Sequence, residues 1–390
     1  MDYGNPDLYT TAERLERWRG LAGEDRVEWS EPGSSPNGFW SVFSQAACRE
    51  VLSPVAPFTS EYGMMIGFDR ANPDRSAKDM LVVTDGDRHT WLRRLIGPLM
   101  SRTAAGSLRK YIEGEVRVLL ERLREDPDAN IATAVGPYLP AAAVCEILGV
   151  PDADRAHLIG LTNHAFGGED DLFADKTPRQ AHTEILAYFY DLIEERQLRR
   201  GDDLVSVLVA EDGISPDEVL LNCDNVLIGG NETTRHAITG CFHALGTVPE
   251  TLDVLHGDPD AIGLAVEEII RWTSPAMHVL RVATADVTVA GQEIAAGAPV
   301  VAWLPAANQD PNVFDRPGDF IADRSPNRHL AFGHGTHHCL GAALARIELE
   351  ALLQVLAEQA REVELTQDPE WLRAIVVQGY RSLRTAVRWR

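Results

Sequence analysis

The sequence has no excess of positive charge, no long apolar run and no paired cysteines, and each lack closes off a class of function. Lys and Arg number 36 against 59 Asp and Glu, a formal net charge of −23. So acidic a chain is a poor match for nucleic acid or an anionic membrane, since both want a basic footprint. A local basic patch for an acidic protein partner is not excluded. The longest uncharged stretch near spanning length, Ala129–Cys145, carries Pro137 and Pro140. It falls short of the about 20 residues a spanning helix needs. The opening MDYGNPDLYTTAERLERW has neither a basic start nor an apolar core, which predicts no secretory signal. The cysteines, Cys48, Cys145, Cys223, Cys241 and Cys339, are odd in number and none stands in a C-x-x-C. That disfavours a disulfide framework and a zinc ribbon. A cytoplasmic, reduced protein is the simplest expectation. No internal repeat and no low-complexity tract is visible.

What is present is a globular composition, 45% hydrophobic and 24% charged, over 390 residues. Apolar spacing of three and four predicts helices over Ala12–Leu21, Trp91–Met100, Thr103–Arg124, Pro140–Leu148, Thr177–Arg199, Ser215–Val248, Asp260–Trp272 and Leu340–Glu358. Gly38–Phe43, Val279–Val289 and Val300–Leu304 read as strands, and a strand-turn-strand tail runs to Arg390. The expected fold is mainly α with small β-sheets, an α+β chain with no linker to split it. The long Gly/Pro/Asp-rich stretch Pro54–Asp79 and the acidic Asn163–Pro178, with Gly167-Gly168, read as functional loops, the second as a lid.

The strongest motif is Phe332-Gly-His-Gly-Thr-His-His-Cys-Leu-Gly341, followed at once by a helical run. Its glycines allow a tight turn and close approach to a flat ligand. Cys339 stands just before a helix start, where backbone N–H groups and the positive helix end favour a thiolate. Such a thiolate is what haem iron needs to cleave an O–O bond. An inert buried cysteine in a glycine turn is the plain alternative, and the full F-x-x-G-x-x-x-C-x-G spacing weighs against it.

This segment resembles the haem-binding loop of the cytochrome P450 family, most closely its soluble bacterial members. The resemblance implies that fold, one haem b, and Cys339 as axial ligand to its iron. It implies haem-propionate contacts from His89, Arg93, Arg281 and His337, four donors that two buried carboxylates would need. Glu268 and Arg271, three apart on one helix face, match the family's structural E-x-x-R pair, with Arg324 as a further partner. Gly229-Gly-Asn-Glu-Thr-Thr234 interrupts an apolar helix at a cost in helix propensity. By resemblance Glu232 and Thr233 are the acid-alcohol pair beside the dioxygen being activated, Thr233 as hydrogen-bond partner and Glu232 as proton relay.

The expected activity is a haem-thiolate monooxygenase hydroxylating a small molecule, in bacterial secondary metabolism such as antibiotic biosynthesis. The chain length is expected to be consumed by one haem domain over 1–390 with no fused reductase. Electrons then come from NAD(P)H through a ferredoxin and a ferredoxin reductase. Two alternatives stand beside it: the same chemistry on an aminoacyl substrate tethered to a carrier protein, and a haem-binding sensor, which the Glu232–Thr233 pair argues against. By position the substrate pocket is expected from Met64, Met65, Ile66, Val226, Gly229, Gly230, Met277, Val279, Leu280, Val376 and Val377. Arg102, Arg109 and Arg346, with His334 and His338, are expected to form a small basic island for the electron donor.

Overall fold

A long helix, Pro216–Thr247, organises the molecule. Its start is fixed by local chemistry: the Ser215 hydroxyl accepts from Glu218 N–H, the Glu218 carboxylate accepts from Ser215 N–H, and Pro216 needs no donor. It is buried for most of its length, because the helices Tyr138–Leu148, Pro178–Leu198, Ile262–Thr273 and Ala342–Gln359 pack around it. The structure, a computed structural model, describes residues 1–33, 35–67, 76–166 and 176–390.

The main sheet has five strands in the order Val27–Ser30, Phe39–Val42, Pro299–Trp303, His278–Ala283, Phe58–Thr59. Phe39–Val42 runs parallel to Pro299–Trp303 with Trp40 beside Val300, and the other pairings are antiparallel. Among the described residues three two-stranded ribbons complete the β part, one of them Ala360–Leu365 with Thr385–Trp389 in the tail. Beneath the sheet, Tyr9 stacks on Trp18 at 5.2 Å and both lean on Trp303, an aromatic core that fixes the first helix, Glu13–Gly23. The expected α+β class holds.

Two expected elements are broken. Thr103–Arg124 divides into Arg102–Ser107 and Arg109–Glu125. The Ser107 hydroxyl bonds back to the Ala104 carbonyl at 2.6 Å and the chain re-enters a helix only after Leu108. Val279–Val289 divides at 284–286, where Asp286 turns its carboxylate to the Ala296 N–H. Among the described residues, six helices that the periodicity did not indicate are also present: Gln45–Leu52, Ile131–Ala134, Asp152–Phe166, Leu204–Val209, Glu250–Gly257 and Leu304–Asn308. Of the expected lid, Asn163–Phe166 ends a helix, and 167–175 lie outside the described residues.

Candidate active site

The cysteine loop is closed by the Cys339 N–H donating to the Phe332 carbonyl at 2.8 Å. Gly335 has φ +74°, and a Cβ there would run into the Leu52 carbonyl, so no other residue fits. Gly341 then leads into Ala342–Gln359. Cys339 is exposed on one side and crowded by protein on the others. That crowding pushes its thiol up, against the Gly341 and Ala342 N–H groups and the Arg93 and Arg346 charges, which pull it down. The helix start alone therefore does not make the thiolate expected from the sequence; a bound metal cation would.

The loop is hung from the E-x-x-R helix. Glu268 is fully buried and accepts from Arg271 Nε and Nη2, both at 2.7 Å. It also accepts from Arg324 Nε at 3.0 Å, Asn327 Nδ2 at 3.0 Å and Ile321 N–H at 3.0 Å. Arg271 Nη1 reaches the Asn308 carbonyl at 2.8 Å, and Asn308 Oδ1 accepts from Leu330 N–H at 2.7 Å, two residues before Phe332. Arg324 thus joins the network, as the resemblance implied.

The structure brings the four expected propionate contacts together. His89 and His337 lie ring against ring at 4.3 Å. Arg93 Nη2 reaches the His338 carbonyl at 2.7 Å. Arg281 is buried, and its hydrogen bond among the described residues runs only to the Leu280 carbonyl at 2.9 Å. Burial pushes the Arg281 guanidinium down to about 10. Burial, then the His337 and Arg93 charges, push His89 down to about 4, so it is neutral, and its buried Nε2 has no partner among the described residues. An under-paired guanidinium, an orphaned ring nitrogen and a second arginine around one space are the donor set that haem carboxylates would satisfy. With Cys339 facing the same region, the residues present fit a haem.

Sequence reasoning missed Asp85. Its carboxylate accepts from Thr59 Oγ1 at 2.6 Å, Ser60 Oγ at 2.6 Å and Ser60 N–H at 2.9 Å, and pairs with His337 Nε2 at 2.8 Å. Burial alone would raise it, but these donors hold it well below the usual carboxylate range. It ties the base of the loop carrying Met64 to the start of Gly86–Ile96 and to the cysteine loop. A lone acid beside a basic cluster was the only available signal.

On the central helix, adjacent residues point about 100° apart, and this splits the acid-alcohol pair. Gly229 is exposed with open space where a Cβ would stand, and Thr233, one turn on, is part-exposed with Oγ1 donating to the Gly229 carbonyl at 3.3 Å. Gly230 packs on Val144. Glu232 is buried on another side, 3.4 Å from Arg235 Nη1 and 4.0 Å from His236 Nε2. Burial raises Glu232, against the Arg235 charge, and drives His236 well down.

The expected pocket residues separate. Met64 O accepts from Leu280 N–H at 2.9 Å and Ile66 N–H donates to His278 Nε2 at 2.9 Å, which lays that loop, Met65 included, along the strand. Side chains alternate along His278–Ala283, so Val279 shares the face of Arg281. Leu280 takes the opposite face and, with Met277, is fully buried in the aromatic core; neither lines an open pocket, contrary to expectation. Val377 is likewise buried, bridged to Ala276, while Val376 and Val226 are part-exposed. Two concavities elsewhere, one around Arg14, His243 and Trp371 and one around Arg122 and Tyr138, border none of these residues.

The expected basic island is reduced. Arg346 is bidentate to Glu267 at 2.5 and 3.0 Å, and Arg109 binds Glu113 at 3.0 Å and Glu350 at 2.9 Å. Burial lowers His334 and His338, so neither gains charge easily. Arg102 remains exposed.

A family model described as Cytochrome P450 matches residues 263–367. The chain is similar to Cytochrome P450 NovI of Streptomyces niveus, 36% identical over 98% of this chain and 95% of that one. Among solved structures it is similar to P450 OxyD, involved in the biosynthesis of vancomycin-type antibiotics, 62% identical over 100% of both chains with a TM-score of 0.96. It is also similar to P450BioI in complex with hexadec-9Z-enoic acid ligated acyl carrier protein, 26% identical over 96% of this chain and 98% of that one, TM-score 0.85.

Proposed function

The chain belongs to the cytochrome P450 family, and from that premise we propose that this monooxygenase hydroxylates a small molecule of bacterial secondary metabolism. Its electrons come from NAD(P)H through a separate ferredoxin and ferredoxin reductase, and residues 1–390 serve one haem domain. When bound, haem supplies oxygen activation and C–H bond cleavage, one oxygen atom passing to substrate and the other to water. The chain's residues supply the rest. Cys339 ligates the iron, while His89, Arg93, Arg281 and His337 hold the propionates. Thr233 offers its hydroxyl on the open helix face, and Glu232 supplies the proton. Gly229 leaves room there, and Met64, Met65, Ile66, Val226, Val279 and Val376 give the substrate mostly apolar, adaptable walls.

The observation carrying this reading is Thr233 on the exposed face, one turn beyond Gly229, with a buried acid adjacent in sequence. A sensor has no use for that pair. Thr233→Ala should keep haem content and divert electrons to hydrogen peroxide. Tight coupling of NAD(P)H use to product in that variant would remove Thr233 from the chemistry.

A second reading changes only the substrate: an aminoacyl group tethered to a carrier protein. It is favoured by the neighbour solved with a ligated acyl carrier protein and by the 62% identical neighbour from antibiotic biosynthesis. Spectral shifts of the ferric haem, titrated with free amino acids and with the same amino acids loaded on a carrier, separate the two.

A further inference from the structure

Arg14 is a buried cation with no anion to match it. It stands in the first turn of Glu13–Gly23 and is 2% exposed. Its Cζ lies 3.4 Å above the Trp371 ring. Nε donates to Gln378 Oε1 at 3.2 Å and Nη1 to the Thr11 carbonyl at 3.3 Å, both neutral acceptors. Among the described residues no carboxylate acts on Arg14, and Nη2 has no hydrogen-bond partner. Burial pushes the guanidinium down to about 10, so it is charged at neutral pH. Buried charges are ordinarily paired, and this one is not.

Arg14 borders a cavity of about 280 Å³, counted to its open mouth, together with His243, Trp272, Trp371, Gln378 and Tyr380. The polar groups around it are of one kind. His243 Nδ1 lies 2.9 Å from Tyr380 Oη, and that nitrogen is the one acceptor the buried hydroxyl has among the described residues. The hydroxyl therefore donates to Nδ1. Burial, then the Arg14 charge, push His243 down to about 4, so the ring is neutral and carries its proton on Nε2. That N–H has no partner among the described residues. The acceptor of Gln378 is taken by Arg14, and its Nε2 donates to the Thr273 carbonyl at 2.8 Å. The Trp272 indole N–H is spent on the Gly318 carbonyl at 2.9 Å. What these side chains leave unused is two donors, one of them charged. The rings already lie against one another, Trp371 on Tyr380 at 4.6 Å and His243 on Trp272 at 4.8 Å. No slot for a further ring remains between them.

We propose that this cavity binds a compact monovalent anion, a halide ion or the carboxylate of a molecule the size of formate, between Arg14 Nη2 and His243 Nε2. The anion neutralises Arg14 where three parts of the chain meet. Gln378 links the site to the Thr273 carbonyl, and Thr273 closes the E-x-x-R helix. Trp371 belongs to the tail, and Arg14 to the first helix. Binding therefore fastens the first helix and the tail to the helix from which the cysteine loop hangs. It stabilises the fold and is independent of the oxygen chemistry.

Bromide is the probe. Crystals of the haem-loaded protein soaked in sodium bromide should show an anomalous peak at hydrogen-bond distance from both nitrogens. Adding formate separates the two sources: loss of the peak assigns the site to carboxylates, and its persistence assigns it to halides. In solution, calorimetry at fixed ionic strength should give a saturable rise in thermal midpoint, about 3 °C for 390 residues at a hundredfold excess over the dissociation constant. Arg14→Met should show no such rise. His243→Phe, which keeps the arginine and a ring, should weaken binding about tenfold or more, the worth of one hydrogen bond to a charged group. It serves as the test should Arg14→Met fail to load haem. No peak at these nitrogens overturns the proposal. A peak without a saturable response in solution identifies an adventitious ion only and overturns it too, as does an equal response in wild type and either variant.

Discussion

Replacing Glu268 with Gln asks how much one buried acid is worth when it serves two buried guanidinia. Arg271 and Arg324 both direct their donors to it, and their remaining donors go to the carbonyls of Asn308, Asp315, Arg316, Pro317 and Asp319. No other carboxylate bonds either side chain among the described residues. The substitution keeps shape and size but leaves two buried positive charges without an anion and points an N–H₂ at one of them. Breaking a buried pair in this way costs about 3–5 kcal/mol. With about 2.1 cal/mol/K of unfolding entropy per residue, a chain of 390 residues loses roughly 4–6 °C of thermal midpoint. The assay is calorimetry or circular dichroism at equal haem loading. Adding Arg271→Met should not restore the loss, because Arg324 stays uncompensated; only the further change Arg324→Met should recover much of it. A variant within a degree of wild type, or full recovery in the double variant, would refute the claim that one acid neutralises both arginines.

Cys339→Ser should abolish the red-shifted Soret band that a thiolate ligand gives the reduced, CO-bound protein; a normal band in the variant would sink the ligand assignment. Glu348 is fully buried, neither carboxylate oxygen has a partner among the described residues, and burial pushes it well above the usual range. A folded-state pKa raised in this way stabilises nothing above the unfolded value of about 4.3 and becomes a growing penalty as pH rises. Glu348→Gln should therefore gain thermal midpoint over wild type as pH goes from about 5 to about 8, and a gain that shrinks over that interval would show a hidden partner for the carboxylate. Arg102→Glu should weaken ferredoxin-driven turnover and flatten its dependence on salt, whereas Arg109→Glu, which breaks bonds to Glu113, Glu350 and Gln354, should lower the thermal midpoint. Equal effects of both reversals on turnover alone would restore Arg109 to the basic island.

The parts of the molecule most legible in the sequence are those where the backbone leaves little choice. The glycine spacing around Cys339 and the Glu268–Arg271 spacing are local patterns with local causes. The helix Asp152–Phe166 escaped because apolar and polar residues alternate around it without one clear stripe. Asp85 escaped because its importance lies in what converges on it, from Thr59, Ser60 and His337, which are remote in sequence. The pocket was read as a run of neighbours, but strand alternation sends Leu280 away from Val279 and Arg281. Placing Glu232 beside Thr233 in function was natural from adjacency, yet the helical turn separates them in space. The acid faces Arg235 and His236 on its own helix instead.

The parallel pairing of Phe39–Val42 with Pro299–Trp303 has a consequence for synthesis. Partners such as Trp40 and Val300 lie 260 positions apart, and Gln45 completes its bonds only with Asp310 and Arg328. At the about 5–20 residues per second of a ribosome, the first strands wait roughly 10–50 s for the strand that receives them. During that interval an edge rich in Phe and Trp is exposed on the nascent chain, and the aromatic cluster of Tyr9 and Trp18 lacks Trp303. The earliest residues made are among the last to be placed. Yield in a foreign host should therefore depend on holdase chaperones and on uninterrupted translation of the final third, and prematurely terminated chains should aggregate through their N-terminal segment.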